Sequence, residues 1–322
     1  LFGIFYLYSV AESLTFTPGG VAMRLPANGH DGLFLGAVCC MLVGFGTKAG
    51  MFPLHGWLPT AHPVAPAPAS AVLSGLITKS GVLALIRVAY YIVGPDRLRG
   101  TWVQDVWMFL ALLTVFMGSM LAYKEPVLKK RLAYSTVSQV SYVLLGVFLL
   151  SMEGLYGSLL QMVFHALAKN ALFLCAGAVI CKTGCTRVKE LRGMGKRMPA
   201  VMVCFALASL SLVGIPPAGG FLAKWHLAVG AMRADAGVFA WLGPVVLMVS
   251  ALLTAGYLFP VIVEGFFPGK DWRKTDQSED GRLSVSAFMG VPLAVLGISL
   301  LVLGALGNPV FELLRGIASD MV

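Results

Sequence analysis

The stretch Lys48–Arg87, "KAGMFPLHGWLPTAHPVAPAPASAVLSGLITKSGVLALIR", sets Lys48 and Lys79 inside apolar sequence and joins them by a segment rich in Pro and Gly. A lysine at the bilayer centre costs about 2.5–3.5 kcal/mol on insertion scales, so it persists where it faces a hydrated interior or a partner. Low-dielectric surroundings also make a lysine easier to deprotonate, which lets it exchange a proton near neutral pH. The competing reading is snorkelling, in which the ammonium reaches the interface from near a helix end. Pro53 removes a backbone donor and clashes with the preceding turn, and Gly44, Gly46 and Gly50 loosen the same region. A helix running through here should break just after Lys48.

The rest of the chain makes the membrane setting plain. Its 322 residues are 58% hydrophobic and 12% charged, with a mean hydropathy of +0.83, whereas a soluble domain is about one-quarter charged. The fold class is all-α and polytopic. Apolar windows of the ~20 residues that a spanning helix needs fall near 33–55, 69–93, 103–122, 132–151, 157–181, 199–231, 239–266 and 285–306. Residues 1–10, "LFGIFYLYSV", read as the second half of a further span, so a fragment is expected. No signal-peptide pattern is evident. The six cysteines lie mostly within spans as small hydrophobes, and Cys181 and Cys185 lack a second ligand pair, so no metal site is assigned.

The net charge of +9 is informative through its placement. Segments 123–131, 182–198 and 267–284 hold fourteen Lys and Arg residues, whereas the alternate loops hold only Arg24, Arg97, Arg99, Arg233 and Arg315. The positive-inside rule puts the three basic loops, and with them the 56–68 connection, on the cytoplasmic side. No nucleic-acid partner is needed to explain the charge. Five cations remain within spans: Lys48, Lys79, Arg87, Lys169 and Lys224. Arg87, close to a helix end, is read as snorkelling. Acidic residues barely enter the spans, Glu12 and Glu264 lying near ends. "PGKDWRKTDQSEDGR" reads as a solvated loop, and the whole chain as one membrane domain.

A second break is expected in "SLVGIPPAGGFLAKWHL", where Gly214, Pro216, Pro217, Gly219 and Gly220 precede Lys224. Interrupted helices carrying ionisable groups are how transporters with inverted repeats bring polar groups to mid-membrane; a packing kink is the alternative. Between the breaks, Ser158, Gln161, His165 and Lys169 recur at three- and four-residue spacing and form one polar seam. His165 and Lys169, neighbours on that seam, should disfavour each other's protonation. Ser135, Ser138, Gln139 and Tyr142 on the preceding helix either hold waters or join helices.

The opening stretch resembles the signature of the antiporter-like subunits of respiratory complex I, Mrp-type cation/proton antiporters and energy-converting membrane hydrogenases. "KKRLAYSTVSQVSY", "HALAKNALFL" and "GIPPAGGFLAKW" are similar to that family's later motifs, in order and over nearly the whole chain. The resemblance implies an inverted-repeat bundle, with the first repeat ending within 1–93, the second at about 103–266 and a final helix at 285–306. It implies proton-translocating roles for Lys48, Lys79, His165, Lys169 and Lys224, with His55, Ser135, Gln139 and Gln161 in support. In the family the counterpart of Lys48 pairs with a glutamate on an earlier helix, and no such glutamate is present here. By the same resemblance residues 1–10 end the sixth of fourteen core helices, the first five being truncated or supplied by another chain. With only "GNPVFELLRGIASDMV" after the last span, too short for the long lateral helix that the resemblance assigns to one subunit type, the expectation is that the chain looks more like the shorter complex I types or the D type of Mrp antiporters.

The expectation is a proton-translocating subunit of a redox-driven or cation-exchange complex in a bacterial or archaeal cytoplasmic membrane. Protons would enter near Lys79, pass His165 and Lys169 and leave by Lys224, with Lys48 as the switch. The alternatives are Na⁺/H⁺ exchange in an Mrp-type assembly and a scaffold subunit without transport. Other membrane subunits are the expected partners. No cofactor is expected in this chain, because it carries no haem, flavin, quinone or iron–sulfur signature. An intramembrane enzyme is disfavoured, since His55 and His62 stand seven apart without an HExxH or serine-nucleophile motif.

Overall fold

The computed structural model describes residues 1–11, 31–269 and 283–322. Glu12, Arg24 and most of the polar loop after Pro268 lie outside the described residues. Every named element is helical: α1 (Phe2–Ala11), α2 (Asp31–Ala49), α3 (Trp57–Val64), α4 (Ala67–Val93), α5 (Trp102–Lys124), α6 (Leu128–Phe148), α7 (Met152–Thr183), α8 (Pro199–Val213), α9 (Gly219–Arg233), α10 (Phe239–Phe266), α11 (Ala287–Leu306) and α12 (Asn308–Met321).

Among the described residues six of these helices are long and apolar enough to cross a membrane: α2, α4, α5, α7, α10 and α11. Two further expected spans take a different form for physical reasons. The polar residues of α6, including Ser135, Ser138, Gln139 and Ser141, lower its hydropathy although it is 21 residues long. The window at 199–231 is divided into α8 and α9, each of 15 residues. The expected helix at 33–55 likewise ends at Ala49, and residues 52–56 form turns.

Both breaks are built alike. A glycine with positive φ closes the incoming helix, Gly50 at +83° and Gly214 at +88°, and an X-Pro bond follows in the cis form, Phe52–Pro53 and Pro216–Pro217. Glycine suits such a φ because it lacks the Cβ that makes the left-handed region costly. In both places the pattern is Gly-x-x-Pro.

The two ends of the bundle differ in charge. At the basic end, Leu128 N donates to Thr186 O, Val188 N to Pro126 O, Gly193 N to Glu264 O and Leu283 N to Arg197 O. Lys129 Nζ donates to Ala65 O, which ties the α3–α4 connection to the same end. At the other end, Arg99 Nη2 donates to Leu150 O and Gln104 Nε2 to Phe148 O. This is the alternation that the charge pattern predicts.

Two buried apolar clusters fill the interior. One contains Val82, Val140, Leu160 and Phe164, and the other Ala71, Leu132, Ala168 and Leu172. Along α4, α6 and α7 the clusters meet near residues 73–81, 133–139 and 165–167. The ionisable residues gather at that junction. The outer faces of α10 and α11 expose Met248, Leu252, Val291 and Val295, a surface suited to lipid.

Candidate functional site

Helix α4 contains a π-helical turn, Leu73–Ile77, directly before Lys79. A π turn widens the helix and changes which carbonyls remain available, and such turns are frequent at functional sites. Here the Ser74 carbonyl accepts from Thr78 Oγ1 at 3.0 Å and from Lys79 Nζ at 2.5 Å. Lys79 Nζ also lies 2.6 Å from His165 Nδ1. Both residues are buried, at 5% and 1% exposure. Lysine and histidine 2.6 Å apart share a hydrogen bond easily when only one holds the extra proton, and repel each other when both do.

Lys169, fully buried, donates from Nζ to Leu132 O at 2.9 Å. Thr136 Oγ1 donates to the same carbonyl at 3.0 Å and lies 2.6 Å from Ser74 Oγ. Lys169 on α7 and Thr136 on α6 thus share the Leu132 carbonyl, and Ser74 on α4 bonds Thr136 through its hydroxyl and Lys79 through its carbonyl, so three helices are tied together at this point. The seam on α7 predicts the proximity of His165 and Lys169, but the hydrogen-bond partner of His165 is Lys79. Lys79, Lys169 and Lys224 all stand within Coulombic reach of His165.

Lys224 is partly buried and reaches back across the second break. Its Nζ donates to Leu212 O at 2.6 Å and Val213 O at 2.8 Å, and it sits 5.2 Å from the centre of the Tyr142 ring. These carbonyls form the C-terminus of α8, where the helix dipole favours a cation. Tyr142 is held by its hydroxyl, which donates to Leu247 O at 3.1 Å.

Lys48 differs. It lies in the last turn of α2, is exposed, and has no ion pair or hydrogen bond among the described residues. Arg87 is exposed as well. His55 sits inside the first break beside Phe52, with Nδ1 buried and unpaired.

The supporting polar residues divide into two groups. Ser135 accepts from Tyr257 OH at 2.6 Å, Ser138 joins Ser119 and Ser250, and Ser158 donates to Val143 O, so their hydroxyls are used between helices. Gln161 Nε2 donates to Gln139 Oε1 at 2.7 Å. Gln139 Nε2 and His165 Nε2 are buried without a protein partner.

Sequence reasoning missed His62, which it weighed only as a possible enzyme residue. His62 is fully buried on α3, stacks on Phe173 with centroids 4.6 Å apart, and leaves both ring nitrogens unpaired. It stands within Coulombic reach of Lys169 and Lys129. Its position between the basic end and the lysine pair comes from the fold of α3 back onto α6 and α7. Ser74 was missed because a π turn leaves no pattern in hydropathy, and Thr136 because its bond to Ser74 crosses between helices 62 residues apart.

Residues 1–254 match the family described as NADH:quinone oxidoreductase/Mrp antiporter, TM. The NADH-quinone oxidoreductase subunit N of Desulforudis audaxviator is 37% identical over 320 residues, covering 97% of this chain and 62% of the relative. The D-type Na(+)/H(+) antiporter protein of Alkalihalophilus pseudofirmus is 28% identical, covering 99% of this chain and 62% of its own length. The chain thus spans a little under two-thirds of these curated relatives. Among solved structures it is similar to a chain of the Mrp complex from Dietzia sp., with a TM-score of 0.83 and 26% identity over 99% of this chain and 64% of that one. A chain of respiratory complex I from Thermus thermophilus superposes with a TM-score of 0.81 at 23% identity, covering 99% of this chain and 65% of that one, and shares the fold.

Proposed function

The chain belongs to the NADH:quinone oxidoreductase/Mrp antiporter transmembrane family, and on that premise we propose that it carries protons across a bacterial or archaeal cytoplasmic membrane as one subunit of a larger membrane complex. The observation that carries this reading is the buried Lys79–His165 contact at 2.6 Å. A proton arriving at one member discharges the other, which makes the contact a transfer step. Membrane subunits of the parent complex are the proposed partners.

The path begins at the basic end with His62, the buried imidazole near Lys129, and continues to Lys169. From there it crosses to His165, one turn back on α7, and to Lys79. The unpaired atoms of His62, Gln139 and His165 are hydrogen-bonding capacity for water along the line, since an orphaned buried polar atom costs about 1–3 kcal/mol. Lys224, on the carbonyls of the second break, is the outward end. Lys48 acts as the switch: a carboxylate brought near it favours its charged form, and withdrawal favours release.

The test is proton flux through the whole parent complex reconstituted in vesicles. Lys79→Ala should abolish coupled flux while the complex still assembles. Wild-type flux in that variant would refute the assignment.

A further inference from the structure

Outside this line, one titratable pair joins two helices at the end of the bundle away from the basic loops. Glu153, in the first turn of α7, accepts from His226 Nδ1 on α9 at 2.8 Å, the side chains being 20% and 26% exposed. We infer that Glu153 and His226 are the outward proton-release station, taking the proton from Lys224 and delivering it to the outer aqueous face. The inference rests on the proposed line through Lys224.

Four observations support the assignment. His226 stands two residues beyond Lys224 on the same half-helix, about 3 Å further along its axis. Residues two apart leave a helix on nearly opposite sides, so Lys224 keeps to the break while His226 faces the outer end of α7. The handover therefore runs around α9, and the pair is partly exposed at the outer end where Lys79 and His165 are buried. The pair is held in place: a Cβ on Gly157 would stand 2.7 Å from Leu227 N, and one on Gly230 2.6 Å from Gly154 N, so α7 and α9 approach closely on either side of it.

The surrounding groups complete the station. The edge of Tyr156 on α7 meets the His226 ring, with centroids 4.7 Å apart. Arg233 Nη1 on α9 lies 3.9 Å from Glu153 Oε1, and Arg315 on α12 acts electrostatically on Tyr156. In the transfer the imidazole gains a proton on a ring nitrogen, the carboxylate balances the imidazolium, and the proton then passes to water with no other bond changed.

The experiment measures proton flux per assembled parent complex for His226→Ala, His226→Gln, Glu153→Gln and Lys224→Ala, with the outer pH varied. The inference expects the His226 variants to lose flux by about tenfold or more, as removal of a proton-transfer group typically does. Free imidazole on the outer side should restore part of the flux in His226→Ala. Glu153→Gln should shift the dependence of flux on outer pH. Full flux per assembled complex in the His226 variants, or a loss that imidazole does not relieve and outer pH does not move, would overturn the station and leave the pair a helix clamp. Should His226→Ala fail to assemble, His226→Gln, which can still hydrogen-bond Glu153, decides by its flux and outer-pH profile. Retained flux in Lys224→Ala would instead refute the line on which the inference rests.

Discussion

The first and second breaks share the Gly-x-x-Pro plan, yet they place their lysines differently. Lys48 precedes its glycine and lies in the closing turn of α2, whereas Lys224 follows its glycine by ten residues and folds back onto the end of α8. Both ammonium groups therefore end at a helix C-terminus, where the dipole favours positive charge. Lys224 finds two carbonyls and a tyrosine ring within this chain, while Lys48 is exposed. One backbone device thus yields a cation held by its own chain and a cation open to a partner.

The comparison can be broken most severely through α3, the outgoing half of the first break. His62→Phe keeps the stack on Phe173 and removes two unpaired ring nitrogens. Flux should fall by about tenfold or more, with thermal stability unchanged or raised; unchanged flux would remove the first break from the proton path. Next in size is Gly157→Ala, which drives a methyl against the backbone of α9. Overpacking of this kind costs about 1–3 kcal/mol, measurable as a lower melting temperature of the assembled complex, and an unchanged transition would show that the half-helix carrying Lys224 is not fixed against α7. The smallest effect belongs to Tyr142→Leu, which removes a cation–π contact of about 1 kcal/mol, or roughly a fivefold change in flux. Tyr142→Phe keeps the ring and should keep the flux; equal loss in both would assign the effect to the hydroxyl on Leu247.

The fold was legible because spanning helices and basic loops are written in composition. Both breaks were readable from Pro and Gly, and the α7 seam from three- and four-residue spacing. The arrangement of the site was less so. Hydropathy shows that Lys79 and His165 lie in spans, but their contact depends on the rotation of α4, which the π turn at Leu73–Ile77 sets. His62 was hidden because its burial follows from the turn of α3 after the break. Glu153 and His226 were hidden because they stand 73 residues apart on helices that meet only in three dimensions.

The central claim is tested most directly by ion flux through vesicles carrying the whole parent complex, comparing Lys224 with Lys224→Ala under a pH-sensitive dye at varied sodium. The account predicts that proton flux is lost in the variant and does not depend on sodium in the unaltered complex. Flux at the unaltered level in Lys224→Ala would contradict it and make the lysine line a structural feature of a scaffold.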